Sequence, residues 1–392
     1  MSDAPADKLA ATEVSRHIPA LDGIRALAIL LVIPHNLDLL RPPVPKIDYP
    51  AVVFLHAGWI GVQLFFVLSG FLITGNLLDT RGAGNYFSAF FGRRALRIMP
   101  LYFAVLCVAF LLAPAVATLP EPLRATANHQ VWLWTFLANW TAPFGMDVHG
   151  FGHFWSLAVE EQFYLLWPFV VLVCSPTVLL RVCAAVVGLA LLARCVLVYL
   201  HFPPEALYMF TFCRMDALAL GAVAAALIRI PHILARLQTS TTAISWTALM
   251  MLLATAAGTR GLAMYDISTQ TVGYTLLSAA FALILLLAAL PTTGTARAIM
   301  NILGTKPLRL IGRYSYGMYI FHLPLHTYFG ITLLQRLAGP LTAAKSLAYI
   351  VVMTAVTFGL AALSYELFER RFLRLKIHLM PDDKRKELCS NT

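Results

Sequence analysis

The sequence predicts an all-α integral membrane protein with about ten transmembrane helices and both termini in the cytoplasm. Hydrophobic residues fill 59% of its 392 positions and charged residues only 12%, whereas charged residues make up about 25% of an ordinary soluble domain. The mean hydropathy is +0.75. This composition excludes a disordered chain, a collagen and a disulfide-stapled secreted domain, and it leaves no room for a sizeable soluble domain.

A spanning helix needs about 20 mostly apolar residues to cross a hydrocarbon core of roughly 30 Å. Ten segments of the sequence meet this need, and we number them in chain order. They run approximately over Ile24–Leu40, His56–Leu78, Ile98–Ala117, Phe154–Cys174, Thr177–Leu200, Thr211–Ile228, Ala243–Gly258, Thr271–Leu290, Leu310–Leu334 and Leu341–Leu367. The shorter stretch Val131–Trp140 is too brief to cross, and its aromatic residues favour an interfacial or re-entrant position.

The basic residues predict the orientation of the chain. If the N-terminus is cytoplasmic, twenty of the 29 Lys and Arg residues fall in inward loops and tails, six fall in outward loops and three lie within helices. Lys and Arg collect on the cytoplasmic side of membrane proteins, so this ratio predicts that both termini lie inside. The formal net charge of +10 follows from this topology, and we predict no nucleic-acid partner.

The predicted organisation has three parts. Residues 1–18 form a cytoplasmic tail, residues 19–372 the transmembrane domain and residues 373–392 a basic cytoplasmic tail. The long outward loop from Thr118 to His153 is rich in Pro, Trp and His, which favours a structured cap over the bundle. His149 and His153 in this loop are separated by three residues. No third ligand has a suitable spacing, so we predict no metal site.

Several ionisable side chains fall inside predicted spans, where each costs about 2.5–3.5 kcal/mol at the bilayer centre and usually faces the bundle interior. Four of them are candidates for a function. Arg25 begins the first segment, and His35 lies about 15 Å further along it, near mid-membrane. Glu160 lies near the start of the fourth segment and His322 near the middle of the ninth. Histidine suits proton transfer near neutral pH, so the two histidines and the glutamate are candidates to share one catalytic cavity. The structural alternative is that the histidines only bond neighbouring helices and that Arg25 snorkels.

Three arginines lie between the second and third segments, in the string FSAFFGRRALRIMPLY. Arg93 and Arg97 are four residues apart and therefore share one helical face, with Arg94 beside them. Arginine forks bind phosphate oxygens through paired hydrogen bonds, which would suit a phosphate clamp at the cytoplasmic mouth. The preference for basic residues on the cytoplasmic side explains the same cluster without a ligand. Composition does not separate the two interpretations.

Seven strings in the chain together resemble the acyltransferase-3 family of membrane-embedded acyltransferases. They occur in the order that the family has, over residues 19–372, and the ordered set is far more specific than any one string. The strings are LDGIRALAILLVIPH, GWIGVQLFFVLSGFLIT, RRALRIMPLY, FWSLAVEEQFYLLWP, RMDALALGAV, GRYSYGMYIFHLPL and YELFERRF.

The resemblance implies a ten-helix core that transfers an acyl group, usually acetyl, from cytoplasmic acyl-CoA to a hydroxyl of a carbohydrate or related acceptor. By this similarity His35 matches the family's essential histidine and Arg25 its partner. Arg93 and Arg97 match the arginines of the family's RxxxR-type loop, and Glu160 matches the glutamate of its WSLxxE segment. Acyl-CoA, most often acetyl-CoA, is therefore the implied co-substrate.

The chain departs from the family pattern in two places. Arg25 and His35 enclose nine residues, where the family usually has ten. One residue turns a side chain by about 100° around a helix. The two side chains therefore share a face only if the helix is distorted, and Pro34 is placed to kink it. The string FERRF also lacks the proline that the family more often has after the first arginine.

We therefore predict a membrane O-acyltransferase in the bacterial cytoplasmic membrane. In this mechanism the arginine cluster binds the adenosine and diphosphate of the donor, and a neutral His35 takes the proton of the acceptor hydroxyl. Arg25, Ser69 or Tyr319 stabilises the oxyanion. The expected acceptor is a lipid-linked sugar, an exopolysaccharide unit, a lipopolysaccharide or a small glycoside. Because only about twenty residues follow Leu373, we expect the acceptor to reach the membrane itself or to be served by a partner protein.

A transporter or flippase is the competing class, because it would also combine ten helices with buried polar groups. Such a protein usually shows paired, interrupted helices in two corresponding halves, and the sequence shows no such symmetry. A structural scaffold is a third class, and it would leave the mid-membrane histidines without a role.

Overall fold

The computed structural model describes residues 18–37, 49–116, 118, 120–336 and 342–379, and these residues form helices and turns without a strand. Ten α-helices in this part of the chain have at least 16 residues, and we label them α1 to α10. They are α1 Pro19–Asn36, α2 Ile60–Asp79, α3 Tyr86–Cys107, α4 Trp155–Val173, α5 Pro176–Tyr199, α6 Thr211–Leu227, α7 Thr241–Gly258, α8 Tyr274–Ala289, α9 Lys306–Leu325 and α10 Ala343–Ser364. The predicted all-α fold class is confirmed.

Eight helical segments among the described residues are long and apolar enough to cross a membrane. They contain α2 to α8 and α10, with the short turns that extend them. α1 and α9 occupy the positions of the first and ninth predicted segments but are more polar. α1 carries Asp22, Arg25 and His35, and α9 carries basic side chains near its start. The protein is an integral membrane protein, while the count of ten spans and the cytoplasmic termini stay predictions.

Some predicted boundaries lie outside the described residues. These are the segment ends Leu40, Ala117 and Leu341 and the outer parts of both tails, 1–17 and 380–392.

The largest difference between a predicted and an observed helix is at the start of α3. We predicted a span from Ile98, but α3 begins at Tyr86, so the arginine cluster lies inside a helix and not in a loop. Hydropathy marks only the apolar part of a helix. The first turns of α3 are amphipathic and bury Ala89 and Phe90 in the bundle. The arginines are therefore held on a helix that continues directly into the span.

The loop that is predicted to face outward is structured and packs against the bundle. Its described residues form short helices and 3-10 turns, among them the helix Gln130–Trp134. The Tyr102 hydroxyl of α3 donates a hydrogen bond to the Leu133 carbonyl oxygen at 2.7 Å. The stretch Val131–Trp140 therefore packs against α3 at Tyr102, and it forms short helical turns that are too brief to cross a membrane.

Peripheral and central helices differ in what they expose. Large apolar side chains of α5, α7 and α10 are open on the outer surface, for example Leu189, Leu253 and Val351. Contiguous exposed apolar surface of this kind is unfavourable in water but is solvated by lipid tails. α1, α2 and α6 lie at the centre, where α6 packs on α2 and α9 packs on α1.

The contact between α2 and α6 is close enough to require glycine. A Cβ atom on Gly221 of α6 would lie 1.9 Å from the Val67 carbonyl oxygen of α2, and a Cβ on Gly70 of α2 would lie 1.9 Å from the Leu218 carbonyl oxygen. Small residues allow such approach between membrane helices. The two central helices are thus fixed backbone to backbone, which positions the α2 side chains of the site.

Gly221→Ala should destabilise the fold, because overpacking of a close contact typically costs about 1–3 kcal/mol. Thermal unfolding of the purified protein in detergent, followed by tryptophan fluorescence, measures the effect as a lower midpoint. Gly188→Ala on α5 is the matched control, since a Cβ there meets no atom within 4 Å. Equal midpoints for the two variants would contradict the packing described.

Candidate active site

A cavity of about 360 Å³ lies between α1, α2, α3, α4 and α9, and we call it the central cavity. Five of its lining side chains are cationic: Arg25, Arg93, Arg94, Arg97 and Lys376. Its other polar side chains are Ser69, Asn76, Ser156, Glu160, Tyr164, Ser315, Tyr316 and Tyr319. Apolar side chains of α2, α3 and α4 complete the wall.

The arginine cluster forms the end of the central cavity that is predicted to face the cytoplasm. Arg93 donates from Nε to the Ala89 carbonyl oxygen at 2.9 Å and from Nη2 to the Asn76 amide oxygen at 3.5 Å. The Arg94 guanidinium lies 5.1 Å from the centre of the Tyr164 ring. These contacts fix the first two guanidinium groups of the cluster on the wall of the cavity.

Lys376 comes from the predicted C-terminal tail. It lies in the 3-10 turn Leu375–Leu379, which packs on α3. The Leu379 side chain lies so close to Gly92 that a Cβ there would be 2.6 Å from the leucine Cδ1. The described part of the tail is therefore folded against the bundle, and it contributes a cation to the cavity.

The charges on the cavity wall are strongly unbalanced. Among the described residues that line it, Glu160 is the single carboxylate, against five cationic side chains. Arg25 also donates from Nη1 to the Asp22 carboxylate at 2.7 Å, so part of its charge is compensated. Inside a low-dielectric bundle such an excess attracts an anionic ligand more strongly than it would in water. The arrangement is suited to bind phosphate groups.

Glu160 belongs to a chain of hydrogen bonds along the inner wall. The Tyr164 hydroxyl, one turn further along α4, donates to Glu160 Oε2 at 2.9 Å. The Ser69 hydroxyl of α2 bonds the same tyrosine oxygen. Because tyrosine has one hydroxyl proton and gives it to the carboxylate, Ser69 is the donor in the second bond. Ser69, Tyr164 and Glu160 therefore form one polar relay between α2 and α4.

Tyr319 of α9 forms the outer limit of the central cavity. Its hydroxyl donates to the His153 carbonyl oxygen at 2.7 Å and lies 2.5 Å from the Ser156 hydroxyl oxygen. Its ring packs edge-on against Phe65 of α2, with 6.3 Å between ring centres. Tyr319 thus stands between the cavity and the buried histidines beyond it.

His322 lies one turn beyond Tyr319 on α9 and is fully buried. Its Nδ1 lies 2.7 Å from the Tyr319 carbonyl oxygen, and its Nε2 lies 2.9 Å from the Asn36 amide nitrogen. A carbonyl oxygen only accepts and an amide nitrogen only donates, so Nδ1 carries the proton and Nε2 holds the lone pair. Nδ1 bonds within α9, and Nε2 joins α9 to α1, as in the structural alternative. The His153 ring packs against the His322 ring, with 4.7 Å between the ring centres.

His35 lies in the last turn of α1 and is half-buried. Its Nδ1 lies 3.1 Å from the Leu55 carbonyl oxygen, so Nδ1 is the donor and a neutral ring holds its lone pair on Nε2. Gly58 leaves room for this side chain, because a Cβ there would lie 2.8 Å from the His35 Cβ. Gly58 is four residues outward of Val62, which lines the central cavity. His35 therefore lies about one turn, roughly 6 Å, beyond the outer end of that cavity.

The spacing in α1 separates Arg25 from His35. α1 continues through Pro34 to Asn36. Ten residues turn an ideal helix by about 1,000°, which leaves the second side chain about 80° away from the first. Accordingly Arg25 faces the central cavity, His35 faces Leu55, and the next residue, Asn36, faces α9. The partner of Arg25 in the structure is Asp22, and the proline does not restore a shared face.

The predicted site residues fall into two groups. Seven line the central cavity together: Arg25, Ser69, Arg93, Arg94, Arg97, Glu160 and Tyr319. The two histidines lie just outside that wall. Sequence reasoning missed Tyr164, although its spacing of four residues from Glu160 places both on one helical face. It also missed Asn76, Ser156 and Lys376, for which the sequence carried no signal. The described residues hold no group of three or more His, Cys, Asp or Glu side chains that could bind a metal ion.

A second polar network is buried in the core and serves packing. Arg194 of α5 pairs with Asp216 of α6 at 2.9 Å, with both side chains fully buried. Arg214 is also fully buried, and its guanidinium bonds the Gln63 amide oxygen. Four aromatic rings surround it at 4.2 to 6.0 Å, those of Phe66, Trp155, Tyr208 and Tyr274. The string RMDALALGAV thus holds α5, α6 and α2 together behind the site.

Comparison with known proteins identifies the family. The acyltransferase-3 family model, described as an acyltransferase domain, matches residues 18–366. The match includes all of the predicted site residues. No solved structure matches the chain.

Several bacterial proteins are among the curated relatives of this chain. The peptidoglycan O-acetyltransferase OatA of Listeria monocytogenes is 29% identical over 90% of this chain and 55% of its own length. A putative peptidoglycan O-acetyltransferase of Bacillus subtilis, YrhL, is 29% identical over 92% of this chain and 55% of its own length. The O-acetyltransferase OatA of Staphylococcus aureus is 28% identical over 79% and 51%. The chain spans about half the length of these relatives. Because the family match runs through the whole bundle that encloses the cationic cavity, this chain belongs to the acyltransferase-3 family.

Proposed function

We propose that the protein is a membrane O-acetyltransferase that moves an acetyl group from acetyl-CoA to a hydroxyl of a carbohydrate acceptor. The observation that carries this proposal is the central cavity, which joins five cationic side chains to the Ser69–Tyr164–Glu160 relay in one space. A cationic mouth suits a phosphate-bearing donor. A polar inner wall suits a reaction in which charge develops on oxygen.

The donor would enter from the predicted cytoplasmic side. Arg93, Arg94 and Arg97 would hold its phosphates, because guanidinium forks match phosphate oxygens. Asn76, which contacts Arg93, lies seven residues inward of Ser69 on α2, a distance of about 10 Å along the helix. A pantetheine arm that runs along α2 would therefore carry the thioester past Ser69 toward the outer end of the cavity.

The reaction would be a direct transfer. The acceptor hydroxyl loses its proton to Nε2 of a neutral His35, and its oxygen forms a bond to the thioester carbonyl carbon. The carbon–sulfur bond then breaks, and the CoA sulfur leaves with the proton that His35 returns. Arg25 lines the cavity in which the oxyanion forms, and its guanidinium N–H groups that are not bonded to Asp22 can donate to it. Ser69 and Tyr319 line the same cavity, and each would donate to the oxyanion by turning its one hydroxyl proton away from Tyr164 or the His153 carbonyl oxygen.

The acceptor side follows from the position of His35. It lies beyond the outer end of the cavity, so the acceptor would come from the outward face while the donor comes from the inward face. The relatives named peptidoglycan O-acetyltransferases make a carbohydrate hydroxyl the first acceptor to test. Lipid-linked sugars, lipopolysaccharide and small glycosides belong to the same chemical class. A partner protein could complete the transfer to the final acceptor in the same scheme. The proposed location of the enzyme is the bacterial cytoplasmic membrane.

Purified protein in sealed proteoliposomes tests the proposal. Acetyl-CoA is supplied on one side with lipid-linked peptidoglycan precursor, lipopolysaccharide or a glycoside as acceptor. Release of free CoA thiol and mass spectrometry of the acceptor then measure transfer. Movement of an unmodified glycolipid between leaflets without CoA release would instead establish the transporter reading. Mass spectrometry of surface glycans from cells with and without the gene identifies the natural acceptor by its lost acetyl groups.

Glu160→Gln should lower kcat on the order of 10²-fold, because the amide keeps the shape but removes the charge that orients Tyr164 and Ser69. The pH–rate profile should change at the same time, which a packing role would not cause. Glu121→Gln is the matched control, since Glu121 is exposed on a short helix of the outward cap. Wild-type kcat and an unchanged profile for Glu160→Gln would leave Glu160 a packing residue.

A further inference from the structure

A second cavity of about 510 Å³ adjoins the central cavity. The two share four lining residues: Arg25, Arg97, Tyr316 and Lys376. The second cavity adds three cations from the start of α9: Lys306, Arg309 and Arg313. A single extended ligand could therefore occupy both spaces and pass between the shared residues.

The second cavity is lined by more basic side chains than the central cavity. Six line it, against two carboxylates, Asp22 and Glu369. Asp22 is bonded to Arg25 at 2.7 Å, and Glu369 accepts a hydrogen bond from the Ser364 hydroxyl at 3.1 Å. The remaining excess of four positive charges has no counterpart among the described residues that line the cavity.

The cations of α9 are arranged for a compact, highly charged anion. Arg309 and Arg313 are four residues apart and so lie on one face of α9. The Arg313 guanidinium is held over the Tyr365 ring at 4.8 Å, which fixes the plane of its fork. Planar forks of this kind match a phosphomonoester, whose charge is about −1.5 to −2 at neutral pH.

We propose that the second cavity binds the 3′-phosphate of the acyl-CoA donor, with Arg309 and Arg313 as its main ligands and Lys306 beside them. This inference rests on the proposed function and extends it. The arginine cluster of α3 would hold the diphosphate, and the thioester would lie in the central cavity. The enzyme would then discriminate CoA thioesters from otherwise identical donors that lack the 3′-phosphate.

Binding of two probes tests the proposal without any knowledge of the acceptor. CoA and 3′-dephospho-CoA are titrated by calorimetry into the purified protein in nanodiscs of zwitterionic lipid. For the wild type we expect CoA to bind at least about tenfold more tightly, since a charge-assisted hydrogen bond is worth that much or more. In the double variant Arg309→Ala/Arg313→Ala the Kd of CoA should rise to that of 3′-dephospho-CoA. The Kd of 3′-dephospho-CoA should stay within about twofold, which also shows that the variant is folded.

Arg297→Ala is the matched control, because Arg297 is exposed on the neighbouring helix Gly294–Leu303 and lines neither cavity. Equal affinity of the wild type for both probes would overturn the 3′-phosphate site and leave the proposed function intact. Absence of CoA binding would overturn both. A cavity that serves a lipid phosphate would give an equal loss for both probes when anionic lipid is added, and this loss would vanish in the double variant. That result would also overturn the proposal.

Discussion

His35→Ala should lower kcat for acetyl transfer by about 10²–10⁴-fold, the usual contribution of a general base. The hydrogen bond from Nδ1 to the Leu55 carbonyl oxygen holds the ring in the tautomer that can accept a proton at Nε2. Removal of an in-membrane imidazole does not hinder insertion, so expression and the size-exclusion profile should match the wild type. Single-turnover kinetics with acetyl-CoA and excess acceptor in nanodiscs measure the loss.

His322→Gln separates this role from a structural one. His322 joins α9 to α1 through Nε2, while its Nδ1 bonds the Tyr319 carbonyl oxygen of α9 itself. Glutamine can still accept the bond from the Asn36 amide. We expect a lower thermal midpoint with a kcat within about tenfold of the wild type. The reverse pattern would be a wild-type kcat in His35→Ala and a large loss of kcat in His322→Gln. It would show that the general base is on α9 and is not His35.

Arg93→Lys together with Arg97→Lys should raise the KM for acetyl-CoA by about tenfold or more. Lysine keeps each charge but loses the fork that matches phosphate oxygens. Both positions line the central cavity, where the donor is proposed to bind. The substitutions should therefore weaken the binding of acetyl-CoA, and the KM of the acceptor should change less. Initial rates with acetyl-CoA varied at saturating acceptor measure the effect.

The topological interpretation of these arginines predicts a different result. Orientation counts Lys and Arg alike, so the double lysine variant would then be indistinguishable from the wild type. Arg236→Lys provides the control, since Arg236 is exposed on a short helix of the same predicted side and lines neither cavity. A KM that rises equally in control and double variant would point to an indirect effect on the membrane protein as a whole.

The helical architecture could be predicted closely because hydropathy acts along a single helix. The predicted seventh segment, Ala243–Gly258, corresponds to the helix Thr241–Gly258. Hydropathy predicted a wrong helix boundary where a helix is amphipathic. α3 starts twelve residues before the predicted Ile98, because its first turns present arginines to a cavity. A polar helix face can line a cavity inside the bundle as well as face water. The hydropathy of one helix does not distinguish these two positions, because the cavity is formed by several helices.

The sequence predicts which residues belong to the site more readily than it predicts which residues contact one another. Arg25, Glu160 and the arginine cluster stood out because charge is costly in lipid, and all of them line the central cavity. Their partners did not stand out. Tyr164 is an ordinary aromatic residue of an apolar helix until the structure shows its hydroxyl on Glu160. Lys376 belongs to a basic tail in the sequence, and only the contact of Leu379 with Gly92 brings that part of the tail to the cavity.

The sequence by itself determined the all-α class, the order of the helices, the family and the polar side chains placed within apolar spans. The tertiary structure decided which of those side chains meet. Contacts between helices depend on the rotation of each helix about its axis, and a shift of one residue turns a side chain by about 100°. Packing with α2 and α9 fixes the rotation of α1, and it directs Arg25 into the cavity, His35 to Leu55 and Asn36 to His322.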